Sequence, residues 1–199
     1  MDINTIQVGI NSTNCYIVEV NNRDAFIIDP GADGEKILNF IQNKDLNISG
    51  IILTHGHFDH IGAVKYLREE LNVIVSIHQF DNPMLLDAKK NLSFMIGDNI
   101  ELERADRLLA DDDYFNGFKV IATPGHTPGG ISIYHQEEGI LFSGDTIFKN
   151  GYGRTDFPGA DKEKLFASIK KLLRLPVDTT VYPGHGPITT IGNFKTYIG

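Results

Sequence analysis

The sequence predicts a layered α/β domain built on mixed sheets. Three observations carry that expectation: short β-branched runs recur along the chain, amphipathic helical stretches fall between them, and one adjacent pair of runs is spaced like a hairpin. In chain order the runs are "TNCYIVEV" (13–20), "AFIIDPGAD" (25–33), "GIILTHGH" (50–57) and "NVIVSIH" (72–78). They continue with "KVIATPGH" (119–126), "GISIYH" (130–135), "GILFSGD" (139–145) and "TTVYPGH" (179–185). Most of them end at Gly, Pro, Asp or His, and several read as strands buried on both faces.

Helices are expected where apolar residues return at three- and four-residue spacing. "DGEKILNFIQNK" (33–44) places Ile37, Leu38, Phe40 and Ile41 on one side. "DHIGAVKYLREEL" (59–71) does the same with Ile61, Val64, Leu67 and Leu71, and is read as one helix. "DKEKLFASIKKLLRL" (161–175) repeats the pattern with Leu165, Ile169, Leu172 and Leu173, and Pro176 stops it. The runs at 130–135 and 139–145 flank "QEEG" as a hairpin would, which favours mixed sheets over a doubly wound parallel one. "ADDDYFNG" (110–117) is a polar, turn-like stretch that could join two halves of one domain.

With 199 residues the chain suits one sizeable domain. It is 41% hydrophobic and 22% charged, ordinary for a globular protein. A formal net charge of -8 argues against nucleic-acid or anionic-membrane partners, and bound divalent cations would offset part of it. No secretory signal or membrane-length apolar run is visible, so a cytoplasmic location is expected. The single cysteine, Cys15, excludes an internal disulfide framework and suits a reducing compartment. Its place in an alternating run reads as a small buried hydrophobe, against the alternative of a reactive thiol.

The chemistry collects where apolar runs stop. "THGHFDH" (54–60) holds three of the seven histidines of the chain together with Asp59. If extended geometry persists past "GIILT", His55 and His57 point to one side and reach one cation. Asp59 and His60 are adjacent and diverge, which suits a second cation. His126, Asp145 and His185 each sit at a later run's end, beside glycine. Strands fix such positions and loops expose the side chains. His55, His57 and His126 would give one borderline metal three nitrogens and leave a position open for water. Asp59, His60 and His185 would hold the other, and Asp145 is the natural bridge.

"HGHFDH" followed by isolated His, Asp and His at widening intervals resembles the metallo-β-lactamase-fold hydrolase superfamily, from "IIDPGA" to "YPGHGP". The resemblance implies a four-layer αβ/βα sandwich as a single domain over residues 1–199. It also implies two divalent metals held by His55, His57, Asp59, His60, His126, Asp145 and His185. Zinc is expected first, and ligation by N and O without cysteine also accepts iron or manganese. His78 and His135 have no counterpart in the motif and read as structural strand-end residues. Asp29 is either a support for the metal loop or a strand-ending turn residue.

Within the superfamily, an aspartate at position 145 sets aside the true β-lactamases, and the nuclease branches carry large additional arms. "GHTPGG" and "GRTDFPGAD" are similar to the small glyoxalase II-like proteins, so the implied activity is that of a binuclear, hydroxyacylglutathione hydrolase-like thioesterase. A metal-bound hydroxide would attack a thioester such as S-lactoylglutathione, with Asp59 and Asp145 as catalytic residues. Gly130 stands where the long glyoxalase II enzymes carry histidine. The chain runs only fourteen residues past His185, so the helical C-terminal domain that contacts glutathione is expected to be absent. The alternatives are a persulfide dioxygenase using one iron on His55, His126 and Asp145, or another ester or lactone hydrolase of the same fold. The substrate is expected to be a small anionic thioester. Arg154 is then a candidate for its carboxylate, with Tyr152 and Lys149 beside it; equally, Arg154 could pair with Asp156 to fix the loop.

Overall fold

The computed structural model describes residues 1–199. The chain divides into two compact units, residues 1–77 with 82–108, and residues 78–81 with 109–199. The boundary at 108/109 falls just before the polar stretch 110–117.

The first unit carries β1 (Asp2–Val8), β2 (Thr13–Asn21), β3 (Asp24–Ile28), α1 (Gly34–Asn43) and β4 (Asn47–Ile52). It continues with α2 (Phe58–Ile61), α3 (Val64–Leu71), β5 (Val75–His78), α4 (Asn82–Leu85) and β6 (Arg107–Leu109). The six strands form one mixed sheet in sequence order. β1 and β2 form an antiparallel hairpin from Asp2↔Glu19 to Val8↔Thr13, while β3, β4 and β5 run parallel. The helical periodicities are real: α1 buries Ile37, Leu38 and Ile41, with Phe40 only partly covered. Ile17, Ile27, Ile51, Leu53 and Leu67 share this core at 0% exposure. Each such side chain contributes about 1.5–3 kcal/mol relative to exposure.

The stretch 59–71 is two helices and not one. The chain turns at Gly62–Ala63, where the Ala63 N–H donates to the Pro30 carbonyl (2.9 Å) and leaves the helical ladder. Periodicity alone could not show this, because Ile61 and Val64 are buried on either side of the break.

The second unit carries β7 (Tyr114–Phe115), β8 (Phe118–Ala122), β9 (Ile131–His135) and β10 (Ile140–Gly144). β11 (Ile147–Phe148), β12 (Gly151–Tyr152), α5 (Lys162–Leu172), β13 (Thr180–Pro183), β14 (Thr189–Thr190) and α6 (Ile191–Ile198) follow. Its sheet has the order β14-β13-β10-β9-β8-β7. The expected hairpin is β9–β10, paired Ile140↔His135 through Phe142↔Ile133. α5 buries Leu165, Ile169 and Leu172, and the Asp161 side chain caps it by accepting from the Lys164 N–H. β10 and β13 are parallel with Gly144 opposite Pro183. Two chain ends therefore leave this sheet side by side, one into Asp145 and the other into Gly184–His185. Cys15 is buried at 0% and its thiol pKa is pushed well above the ordinary value by burial, as for a structural thiol. No helix is long and apolar enough to cross a membrane.

Candidate metal centre

The first unit builds its donors on the turn after β4. That strand ends at Ile52, so His55 and His57 are not brought together by strand alternation. The turn itself places their rings edge to face with centroids 4.9 Å apart, and His60 lies 4.1 Å from His55. His55, His57 and His60 are 2%, 4% and 0% exposed, far less than histidine tolerates without partners.

The partners begin at Asp29, itself 1% exposed, in the turn after β3 at φ 50°. Asp29 Oδ1 accepts from the Thr54 N–H (2.7 Å), and Oδ2 accepts from the Thr54 hydroxyl (2.5 Å). The same Oδ2 lies 2.9 Å from His60 Nδ1. Because the carboxylate only accepts, His60 carries a proton on Nδ1 and its Nε2 lone pair is left for a cation. The Thr54 hydroxyl donates its proton to Asp29, so it accepts at 3.1 Å from His55 Nδ1, which assigns the Nε2 lone pair of His55 in the same way. Asp29, His55 and His60 lie close enough for one atom of each to meet within 4.8 Å. Asp29 is both a turn residue and a support, and the two readings of it are compatible.

Asp59 is held twice. Gly31 passes so near that a Cβ there would lie 1.5 Å from the Asp59 carbonyl oxygen, so only glycine fits. The Asp59 side chain accepts at Oδ2 from Asn11 Nδ2 (3.0 Å) and from Thr13 Oγ1 (3.2 Å). His60 Nε2 lies 3.9 Å from that same oxygen.

The second unit brings its three expected donors together. Asp145 Oδ2 lies 3.5 Å from His126 Nε2 and 3.6 Å from His185 Nε2. His126 Nδ1 donates to the Arg154 carbonyl (2.8 Å), which again presents Nε2. Gly153 seals this arrangement: a Cβ there would sit 2.0 Å from the Asp145 carbonyl oxygen and 3.1 Å from His126 Cβ. The loop bearing His126 is anchored by Asp81, 0% exposed, whose carboxylate accepts from the Thr127 hydroxyl (2.7 Å) and the Gly129 N–H (2.6 Å).

Arg154 makes a two-pronged pair with Asp156, Nε to Oδ1 at 2.7 Å and Nη2 to Oδ2 at 2.5 Å, and its guanidinium lies 4.1 Å from the Phe157 ring centre. That guanidinium holds the Asp156 carboxyl down to about 2. The loop-fixing role is therefore realised in this structure. Tyr152 is 40% exposed and meets Phe166 edge to face at 5.2 Å, and Lys149 is exposed on the turn between β11 and β12. His78 and His135 end β5 and β9. His78 Nδ1 accepts from the Phe80 N–H (3.3 Å), and His135 packs against Phe118 at 4.9 Å.

Four residues carry weight here that the sequence reading missed. Thr54 stands in the quoted motif and could have been suspected as a hydroxyl beside a ligand. Asn11, Thr13 and Asp81 act from 46 to 48 positions away and leave no local signal.

The donors present are five imidazoles and two carboxylates, with no thiolate, and several imidazoles have Nδ1 engaged so that Nε2 is offered. That chemistry fits a borderline or hard divalent cation. A mixed α/β chain with such donors at its strand ends defines a class of metal-dependent enzymes. The chain belongs to the metallo-beta-lactamase superfamily, whose family model matches residues 8–185. It is 40% identical over 190 residues to the probable metallo-hydrolase YqgX of Bacillus subtilis, covering 92% of this chain and 90% of that protein. It is 37% identical over 203 residues to the hydroxyacylglutathione hydrolase GloC of Haemophilus influenzae, covering 98% and 95%. Among solved structures, the BLEG-1 B3 metallo-beta-lactamase superposes with a TM-score of 0.94 at 40% identity, covering 98% of this chain and 97% of that one. TTHA1623 in a di-iron-bound form gives 0.89 at 40% identity, covering 96% of each. The metallo-β-lactamase fold, a hydrolase family and a divalent-metal site follow.

Proposed function

We propose that the chain is a two-metal thioester hydrolase of glyoxalase II type. The observation that carries this reading is the pair of pre-oriented donor sets: His55, His57, Asp59 and His60 on one loop, and Asp145 Oδ2 within 3.6 Å of both His126 and His185. Its similarity along nearly the whole chain to a hydroxyacylglutathione hydrolase supports the substrate class. His55, His57 and His126 would hold one cation and Asp59, His60 and His185 the other, with Asp145 shared. When bound, such cations lower the pKa of water and offset negative charge on the substrate oxygen. Zinc is our first assignment; a similar protein in a di-iron-bound form makes iron the second.

The protein's own part is orientation. Asp29 and the Arg154 carbonyl fix the protons of His60 and His126 on Nδ1, so neither ring has to rearrange on binding. Asp145 lies between two imidazoles, where a carboxylate can serve both cations. Asp59 orients the attacking water. Hydrolysis forms one C–O bond and breaks one C–S bond. A thiol of pKa near 8.5 leaves as thiolate, so the site needs no strong general acid. Arg154 would meet a substrate carboxylate only by sharing its guanidinium with Asp156.

The test incubates metal-loaded protein with S-lactoylglutathione, glutathione persulfide and a β-lactam in parallel. Thiol release without oxygen uptake is expected. Oxygen uptake with the persulfide would establish the dioxygenase reading instead. Ring opening of the β-lactam as the principal activity would establish the second reading that the BLEG-1 similarity favours.

A further inference from the structure

We infer that Asn11 and Thr13 are positioning residues for Asp59, so that the β1–β2 hairpin sets the orientation of a carboxylate in the reaction centre. The inference rests on the assignment of Asp59 as a metal ligand made above.

The hairpin register ends at Val8↔Thr13, so residues 9–12 form its loop. The loop has its own fastening: Gly9 and Ser12 have φ of 64° and 52°, the Ser12 N–H donates to the Gly9 carbonyl (3.3 Å), and the Gly9 N–H donates to Asp33 Oδ2 (3.0 Å). From this frame Asn11 and Thr13 reach across 48 and 46 positions of sequence to the same atom, Asp59 Oδ2. The Asp59 backbone is fixed independently by the close approach of Gly31. What remained adjustable was the carboxylate rotamer, and these two donors select it.

Their chemistry suits that task. An amide and a hydroxyl hold a carboxylate without cancelling its charge, so the full negative charge stays available to a cation. Lysine or arginine at either position would compete with the metal. Two donors on one oxygen use about half of the four lone-pair sites of the group. Groups that orient a metal-binding side chain in this way are typically worth about 10–100-fold in metal affinity.

Asn11 is exposed at the hairpin loop, so truncating it leaves packing almost untouched. Thr13 is 0% exposed, so Thr13→Val keeps its shape and Thr13→Ser keeps its hydroxyl. The experiment prepares apo protein for wild type, Asn11→Ala, Thr13→Val and Thr13→Ser, and titrates each with zinc against a chromophoric chelator. Thermal melts of the apo forms are recorded alongside. We expect Asn11→Ala and Thr13→Val to weaken one zinc equivalent by about 10–100-fold and leave the other within about twofold. Thr13→Ser should recover most of that loss, and apo Asn11→Ala should melt with wild type. Unchanged zinc affinities, no recovery in Thr13→Ser, or equal weakening of both equivalents with a lower apo melt would each overturn the inference while leaving the metal assignment standing. Wild-type protein that binds no zinc, iron or manganese would remove that assignment, and the inference with it.

Discussion

Replacing Asp29 with Asn tests the proposed tautomer control at its most buried point. The substitution keeps the volume, removes the charge and turns one acceptor oxygen into an NH2 donor. Asp29 now accepts from the Thr54 N–H at 2.7 Å, the Thr54 hydroxyl at 2.5 Å and His60 Nδ1 at 2.9 Å. If the asparagine oxygen keeps the Thr54 N–H, its NH2 group faces both the Thr54 hydroxyl and His60 Nδ1. His60 must then accept at Nδ1 and move its proton to Nε2, where it blocks a cation. Undoing this leaves the buried amide NH2 and the His60 Nδ1–H facing each other without an acceptor, a cost of about 1–3 kcal/mol. At 1.36 kcal/mol per factor of ten, that is about 5–150-fold in affinity for the cation on His60. Chelator competition with apo protein measures the affinity, and ring ¹⁵N shifts of His60 report the tautomer. Unchanged affinity for both equivalents, or a His60 ring still protonated on Nδ1 in the variant, would refute the reasoning.

Gly153→Ala drives a methyl group to 2.0 Å from the Asp145 carbonyl oxygen, so the β12 turn must shift. A destabilisation of about 1–3 kcal/mol is expected, with a matching loss of turnover; a melt equal to wild type would show that the turn yields freely. Burial lowers the pKa of His78 below its ordinary 6.5, with Asp111 and Asp113 opposing. The unfolded chain therefore binds the extra proton first: stability is complete above about pH 6.5 and falls as pH drops toward the folded value. His78→Gln should flatten that part of a denaturation-versus-pH series, and an unaltered slope would assign it elsewhere. Arg154→Ala should return the Asp156 carboxyl from about 2 toward its ordinary 3.8. The pair's contribution is complete above 3.8 and lost as pH falls through about 2, as a ¹³C carboxyl titration would show.

The sequence was most informative where one residue type has few uses. Seven His and Asp positions at or after the ends of apolar runs were expected to hold two cations, because strand ends in a layered α/β fold deliver side chains to loops. The helix at 59–71 was legible as apolar spacing, yet its break was not. The break depends on the Pro30 carbonyl competing for the Ala63 N–H, a contact made thirty-three residues back along the chain. The strand alternation expected to align His55 and His57 is absent, since β4 stops at Ile52 and the turn after it sets their rings 4.9 Å apart. Arg154 was left open between a substrate and Asp156, because no pattern in sequence says which carboxylate a guanidinium meets first. Asn11, Thr13 and Asp81 were invisible for a related reason: an Asn, a Thr or an Asp has many ordinary uses, and only the fold shows what lies opposite.

These networks bear on what metal removal should do. In a structural zinc module the binding energy of the ion supplies the folding energy, so the fold fails without it. Here His55, His60 and His126 each have Nδ1 engaged by protein oxygen, and Asp29, Asp59 and Asp81 accept hydrogen bonds supplied by the chain itself. Each unit also has its own apolar core, one containing Ile17, Ile51 and Leu67 and the other Leu141, Leu165 and Val181, all at 0% exposure. The donors are thus held in place before any cation arrives, and stripping the protein should leave it folded. Binding then adds stability only through mass action, about 2.7 kcal/mol per site at a free-metal concentration of 100 Kd. For a chain of this size each kcal/mol moves Tm by about 2–4 °C, so each site should raise it by about 5–11 °C. Melts of chelator-treated protein, repeated across a free-zinc series, measure this directly. A cooperative apo transition that climbs logarithmically with zinc is expected. Loss of that transition on chelation would mean that the cations themselves organise the donor loops, and the tautomer networks described here would be a consequence of metal binding and not its preparation.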